Sequence, residues 1–136
     1  MGKNRYFSIP FRYIRKMKRI VADKAFEFSV KMVFLGKRLV KENEYVLSRQ
    51  LIRSSTSISA NIEESAAAAS KRDFLNKMNI SHKEARETKF WIRLLYRTEY
   101  IKYEEYIIYD NECDEILRIL YSITRTIKEQ LKNSRQ

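Results

Sequence analysis

From Leu47 to Ala69 the chain reads LSRQLIRSSTSISANIEESAAAA, without a Gly, a Pro or an aromatic residue. Leu47, Leu51, Ser55, Ile58, Ile62, Ser65 and Ala69 recur at spacings of three and four, which puts them on one face of an α-helix. Beside that face runs a row of small or short polar residues, Ser54, Ser57, Asn61, Glu64 and Ala68. Small side chains let a neighbouring helix come close. Ser and Thr in mid-helix work against helix propensity, so tertiary packing must hold this segment, on more than one side. It therefore predicts the central helix of a bundle. Two Gly and one Pro in 136 residues leave few turn formers for a β-rich alternative.

The rest of the chain divides around that helix. Residues 1–22 form a basic N-terminal arm, and 23–136 are read as one four-helix domain. Met1–Pro10 is expected to be flexible. Phe11, Ile14, Met17 and Val21 then fall near one face, as in a basic amphipathic helix that docks on a partner or a membrane surface, or in a simple upstream extension. Asp23 is the expected N-cap of helix one, about residues 24–42. That helix carries two apolar rows: Phe28, Met32, Leu35 and Leu39, and Phe26, Val30, Val33 and Val40, with Phe34 near the latter. Rows that wide mean either deep burial or a face turned to another subunit. Gly36 lies between them, where it permits a close helix crossing.

Ser70 is the expected N-cap of helix three, about residues 71–99, with the stripe Phe74, Met78, Ser81, Ala85, Thr88, Ile92 and Leu95. The tyrosine-rich stretch Tyr96–Tyr109 is read as a connector folded over the bundle end, its rings packed rather than free to stack on bases. Asp110 or Asn111 then caps helix four, about residues 112–132, with core residues Cys113, Ile116, Leu120, Ile123, Ile127 and Leu131. The resulting fold class is an all-α, antiparallel up-down-up-down four-helix bundle with a basic N-terminal extension.

Three segments carry a resemblance beyond periodicity: Gln50-Leu51-x-Arg53-Ser54-x-x-Ser57-Ile58-x-x-Asn61-Ile62-x-Glu64; Ser70-Lys71-x-Asp73-Phe74; and Ser81-x-x-Glu84-x-x-Glu87-Thr88-x-x-Trp91-Ile92-x-Leu94-Leu95. Together they resemble the four-helix-bundle proteins encoded in intervening sequences of bacterial 23S ribosomal RNA genes, over about residues 23–131. Where that family usually carries Gly after the first motif, Ser65 stands here, followed by four alanines. The resemblance implies a homopentamer and structural ion-pair roles for Arg53, Glu64, Glu84 and Glu87. It also relates the chain to the bundle that serves as accessory subunit of reverse transcriptases in diversity-generating retroelements.

The net charge is +11, unevenly spread. Lys3, Arg5, Arg12, Arg15, Lys16, Lys18 and Arg19 precede the first acid, so the arm alone carries most of the excess. Such an arm is either a solubilising surface or an element attracted to phosphate. Further basic stripes lie on helix three (Arg86, Arg93, Arg97, with Lys89 beside them), on helix four (Arg118, Arg125, Lys132, with Lys128 nearby) and on helix one (Lys24, Lys31, Arg38).

Reactive constellations are lacking in the sequence. His82 is the only histidine and Cys113 the only cysteine, so neither a histidine zinc pair nor a disulfide can form within the chain. Ser54 and Ser57 have no partner base, and there is no Gly-rich phosphate loop. No catalytic residue, metal or cofactor is expected. No apolar run approaches the roughly 18 residues of a membrane span. The N-terminus lacks the pattern of a signal peptide, and Tyr6 stands where a myristoylation motif needs Ser or Thr. The expectation is a non-enzymatic, cytoplasmic, homo-oligomeric protein that binds nucleic acid, RNA above DNA. Its subunits would meet through the apolar rows of helix one and the aromatic end of helix three. A scaffold for an acidic protein partner or a reverse transcriptase is the alternative.

Overall fold

The structure, a computed structural model, describes residues 11–134; the expected flexibility of Met1–Pro10 falls outside them. Four helices follow in order: α1 (Phe11–Lys41), α2 (Tyr45–Ser65), α3 (Lys71–Arg97) and α4 (Tyr103–Asn133). Each packs on the next and α4 returns to α1, closing a ring in which α1 and α4 meet along the slightest seam. Antiparallel order shows in the cross-links: Ser29 with Ser55 and Ser48 with Gly36 between α1 and α2, Ser81 with Ile58 between α2 and α3. The described residues thus form the all-α four-helix bundle that the periodicity predicts.

Two helix starts differ from expectation. α1 begins at Phe11, not near residue 24, and Asp23 is an exposed position inside it that caps nothing. The reason lies in the core stripe, which continues backwards from Phe28 through Ala25 and Val21 to Ile14, all buried. Residues 11–22 are therefore the first three turns of α1. α4 begins at Tyr103, so Asp110 and Asn111 are helix-interior. Here Tyr106, Tyr109 and Cys113 extend the apolar stripe of helix four, and Glu104 and Glu105 supply the acidic first turn that favours a helix start.

The expected tyrosine connector shrinks to residues 98–102. It turns without glycine: the Tyr100 N–H donates to the Leu95 carbonyl and the Glu99 N–H to the Tyr96 carbonyl, with Glu99 at φ 70°. That is the 6→1 and 5→2 pairing of a Schellman end. Asn43, at φ 62°, closes α1 in the same way. Glu44 then caps α2, its carboxylate accepting from the Val46 and Leu47 N–H groups. Tyr100 Oη lies 3.2 Å from Glu44 Oε2, tying these two turns together at one end of the bundle. At the other end α2 stops at Ser65, leaving Ala69 outside it. Ser70 Oγ accepts the Asp73 N–H at the start of α3.

The buried interior combines Phe28, Met32, Leu35 and Leu39 with Leu51, Ile58, Ile62, Met78, Ile92, Leu95, Ile116, Leu120, Ile123 and Ile127. Ser54, Ser55, Ser81 and Thr88 are fully buried among them. Their hydroxyls bond backbone carbonyls or each other, so they are satisfied where a polar group would otherwise be costly. At Gly36 the helices α1 and α2 approach so closely that a methyl group would overlap the Ile52 side chain. Of the two apolar rows of α1, the Phe28 row is core. The other row remains largely outside, with Phe26 56% and Phe34 62% exposed.

Candidate nucleic-acid interface

Antiparallel pairing of α3 and α4 brings two separate sequence stripes into one groove of about 830 Å³. α3 contributes His82, Arg86, the adjacent Lys89 and Phe90, and Arg93, about one turn apart along its outer side; α4 contributes Tyr106, Asp110, Asp114, Leu117, Arg118 and Tyr121. Arg86, Arg93 and Arg118 are exposed. Phe90 and Tyr121 present half-open rings, whereas Tyr106 stacks on Tyr96 with centroids 4.6 Å apart. Lys89 lies deeper and is neutralised: its Nζ donates to Asp110 Oδ1 at 2.9 Å and Asp114 Oδ1 at 2.6 Å. Burial, then the nearby charges of Arg86 and Lys128, push the His82 imidazole down, favouring its neutral form at pH 7.

The remaining basic positions scatter. Arg97 flanks a shallow concavity with Phe90, Arg93 and Leu94. Arg125 is exposed and pairs with Glu129 one turn on, at 3.3 Å. Lys128 and Lys132 line a separate surface hollow with Arg72, Leu75, Asn76, Asn79 and Leu131. In the arm, Arg12, Lys16 and Arg19 are exposed on the first turns of α1. Arg15 and Lys18 line a hollow of about 360 Å³ at the bundle end, against Ser65, Ala66, residues 68–71, Phe74 and Ile127.

The helix-one stripe is not a free positive surface. Lys24 pairs with Glu115 at 2.8 Å, Lys31 with Glu112 at 2.5 Å and Arg38 with Glu105 at 2.5 Å, so it zips the slight α1–α4 seam. Arg38 holds the Glu105 carboxyl below its ordinary range, chiefly through their hydrogen bond. Glu105, Glu112 and Glu115 follow one another along α4 in the reverse order of their α1 partners, as antiparallel neighbours require.

Arg53 bonds Glu84 at 3.3 Å and also Glu87, across the α2–α3 seam. Its side chain is 46% exposed, so this is a surface network, not the buried pair that a central helix would imply. Desolvation raises the Glu84 carboxyl, while the Arg53 hydrogen bond lowers that of Glu87. Glu64 pairs instead with Lys77, at 2.6 Å. Among the described residues there is no group of three or more His, Cys, Asp or Glu able to hold a metal, and no helix is long and apolar enough to cross a membrane. The Cys113 thiol is pushed up to about 12 by burial and donates to the Ala85 carbonyl at 3.2 Å, as a packing residue does.

The family model of the 23S rRNA-intervening sequence protein matches residues 17–122. The chain belongs to that family. The family match starts inside α1, at Met17, within the stretch read as a separate arm. A crystal structure of a protein of unknown function from the S23 ribosomal protein family of Bacteroides thetaiotaomicron is 48% identical. It covers 80% of this chain and 98% of that one, with a TM-score of 0.78. A search of curated proteins finds no match. Both groove walls of this family member, from His82 to Tyr121, lie inside the matched region. Sequence reasoning found the arginines of the groove but not Phe90, Tyr106 and Tyr121 as their companions. Helix periodicity ranks positions within one helix and does not say which two helices share a groove.

Proposed function

We propose that this protein is a non-enzymatic, cytoplasmic, homo-oligomeric nucleic-acid-binding protein directed at RNA, with the α3–α4 groove as its principal contact. One observation carries the reading: Arg86 and Arg93 from one helix and Arg118 from another converge around exposed aromatic rings. Guanidinium groups bind phosphate, and exposed rings stack on bases, so the groove offers both halves of nucleic-acid recognition. The basic first turns of α1 add Arg12, Lys16 and Arg19 to the attraction.

The exposed residues Phe26, Phe34 and Val40 support self-association, and the family resemblance makes a pentamer its expected form. In a ring each subunit repeats the groove, and multivalency raises avidity. The same apolar row also supports the alternative, docking on a protein partner such as a reverse transcriptase, as an accessory subunit would.

Filter binding at low salt tests the first reading. Wild type is expected to retain RNA, and the triple variant Arg86→Ala, Arg93→Ala, Arg118→Ala to lose most of that affinity with helicity unchanged. No retention by wild type would leave the scaffold reading. Light scattering that gives a strict monomer at high micromolar concentration would reject the oligomer.

A further inference from the structure

The groove that the RNA reading relies on contains two carboxylates, which a surface built only for phosphate would not have. Asp110 and Asp114 are a turn apart on α4, and both are less exposed than the arginines around them. Lys89 engages Oδ1 of each. Among the described residues neither Oδ2 takes part in a hydrogen bond, so each acid has acceptor capacity left over. Lys89 also cancels part of their charge, which lets both remain side by side.

We infer that the α3–α4 groove takes unpaired bases of single-stranded RNA, bases inward and phosphates at the rim, with Asp110 and Asp114 accepting from base amino groups. The inference rests on the RNA-binding reading and deepens it. A phosphate seated against two carboxylates is repelled, whereas a base N–H finds an acceptor there. Carboxylates accept from the cytosine N4 amino group. Phe90 and Tyr121 line the same groove with rings about half exposed, and an unstacked base can lie against such rings. Arg86, Arg93 and Arg118 stand where the backbone would pass. An RNA duplex keeps its free amino hydrogens in a deep, narrow major groove that side chains cannot enter, and presents phosphate first, so it cannot use the acids. Uracil, which has no amino group, uses them less than cytosine does.

The test is fluorescence anisotropy with the full chain, at one salt concentration. The probes are oligocytidine, oligouridine and an RNA duplex of the same length. Oligocytidine should bind about tenfold tighter than the other two, the scale of one well-placed charged hydrogen bond. Asp114→Asn should reduce the cytosine-to-uracil ratio, because an amide oxygen accepts more weakly than a carboxylate; Lys89 keeps Asp110, and circular dichroism checks the fold. Simple charge attraction makes a different forecast, in which Asp114→Asn tightens every probe alike. Equal affinity for duplex and single strand, or a cytosine-to-uracil ratio that survives Asp114→Asn, would overturn the inference and leave RNA binding standing. No binding of any probe would overturn both.

Discussion

Buried hydroxyls on α2 and α3 are satisfied by one another, and the Ser54–Thr88 pair makes that testable. Both residues are fully buried. Their oxygens lie 2.8 Å apart, and Thr88 Oγ1 is 2.9 Å from the Glu84 carbonyl. Each hydroxyl carries one proton, so Thr88 donating to Glu84 leaves Ser54 donating to Thr88. Thr88→Val keeps the shape but removes the acceptor. The stranded Ser54 hydroxyl then has only the Leu51 carbonyl at 3.4 Å, a poor partner. The expected cost is about 1–2 kcal/mol. Ser54→Ala instead leaves Thr88 its bond to Glu84 and gains helix propensity, so it should cost about 0.5 kcal/mol. The double variant strands nothing and should be about as stable as Ser54→Ala alone, a favourable coupling of about 1 kcal/mol or more. Urea unfolding followed by circular dichroism, at one fixed protein concentration because assembly contributes to stability, measures all four proteins. Additive costs in the double variant would refute the hydroxyl assignment.

Other consequences are simpler. Glu99 holds φ 70° without being glycine, so Glu99→Gly should stabilise the fold by about 1 kcal/mol, seen as a higher Tm. Glu105 is held below the ordinary glutamate range by Arg38, so its contribution is present above that range and disappears as pH falls through the lowered value. Glu105→Gln should therefore flatten the acid limb of the stability–pH curve. Cys113, with its thiol pushed up to about 12, should resist thiol reagents at pH 8 until the protein is unfolded in urea.

Much of the bundle was legible because its signals are local. Ser55, Ile58 and Ile62, or Met78, Ala85 and Ile92, keep helical spacing and are buried together. What stayed hidden depended on partners or on turns without their usual residues. Asp23 has the chemistry of a cap, yet an exposed helix position suits it equally. The Schellman turn at Thr98–Tyr100 uses Glu99 where glycine would have announced it, so the tyrosines after it resembled a loop. Lys24, Lys31 and Arg38 repeated the look of a phosphate-binding stripe and turned out to face Glu115, Glu112 and Glu105. The groove needed both lessons at once: a longer α4, and knowledge of which stripe was already neutralised.

Because Ile14 and Val21 belong to the core, deleting residues 1–22 would damage the fold, and charge removal is the cleaner probe of the arm. The decisive measurement is the salt dependence of RNA affinity for three proteins: wild type, the groove variant Arg86→Ala, Arg93→Ala, Arg118→Ala, and the arm variant Arg12→Gln, Lys16→Gln, Arg19→Gln. Counterion release makes log affinity fall linearly with log salt, by about 0.7 per phosphate contact on a single strand. If the groove is the principal contact, its variant should lower that slope by about 2 and lose most of the affinity, while the arm variant changes both less. Equal slopes for wild type and the groove variant would contradict the account.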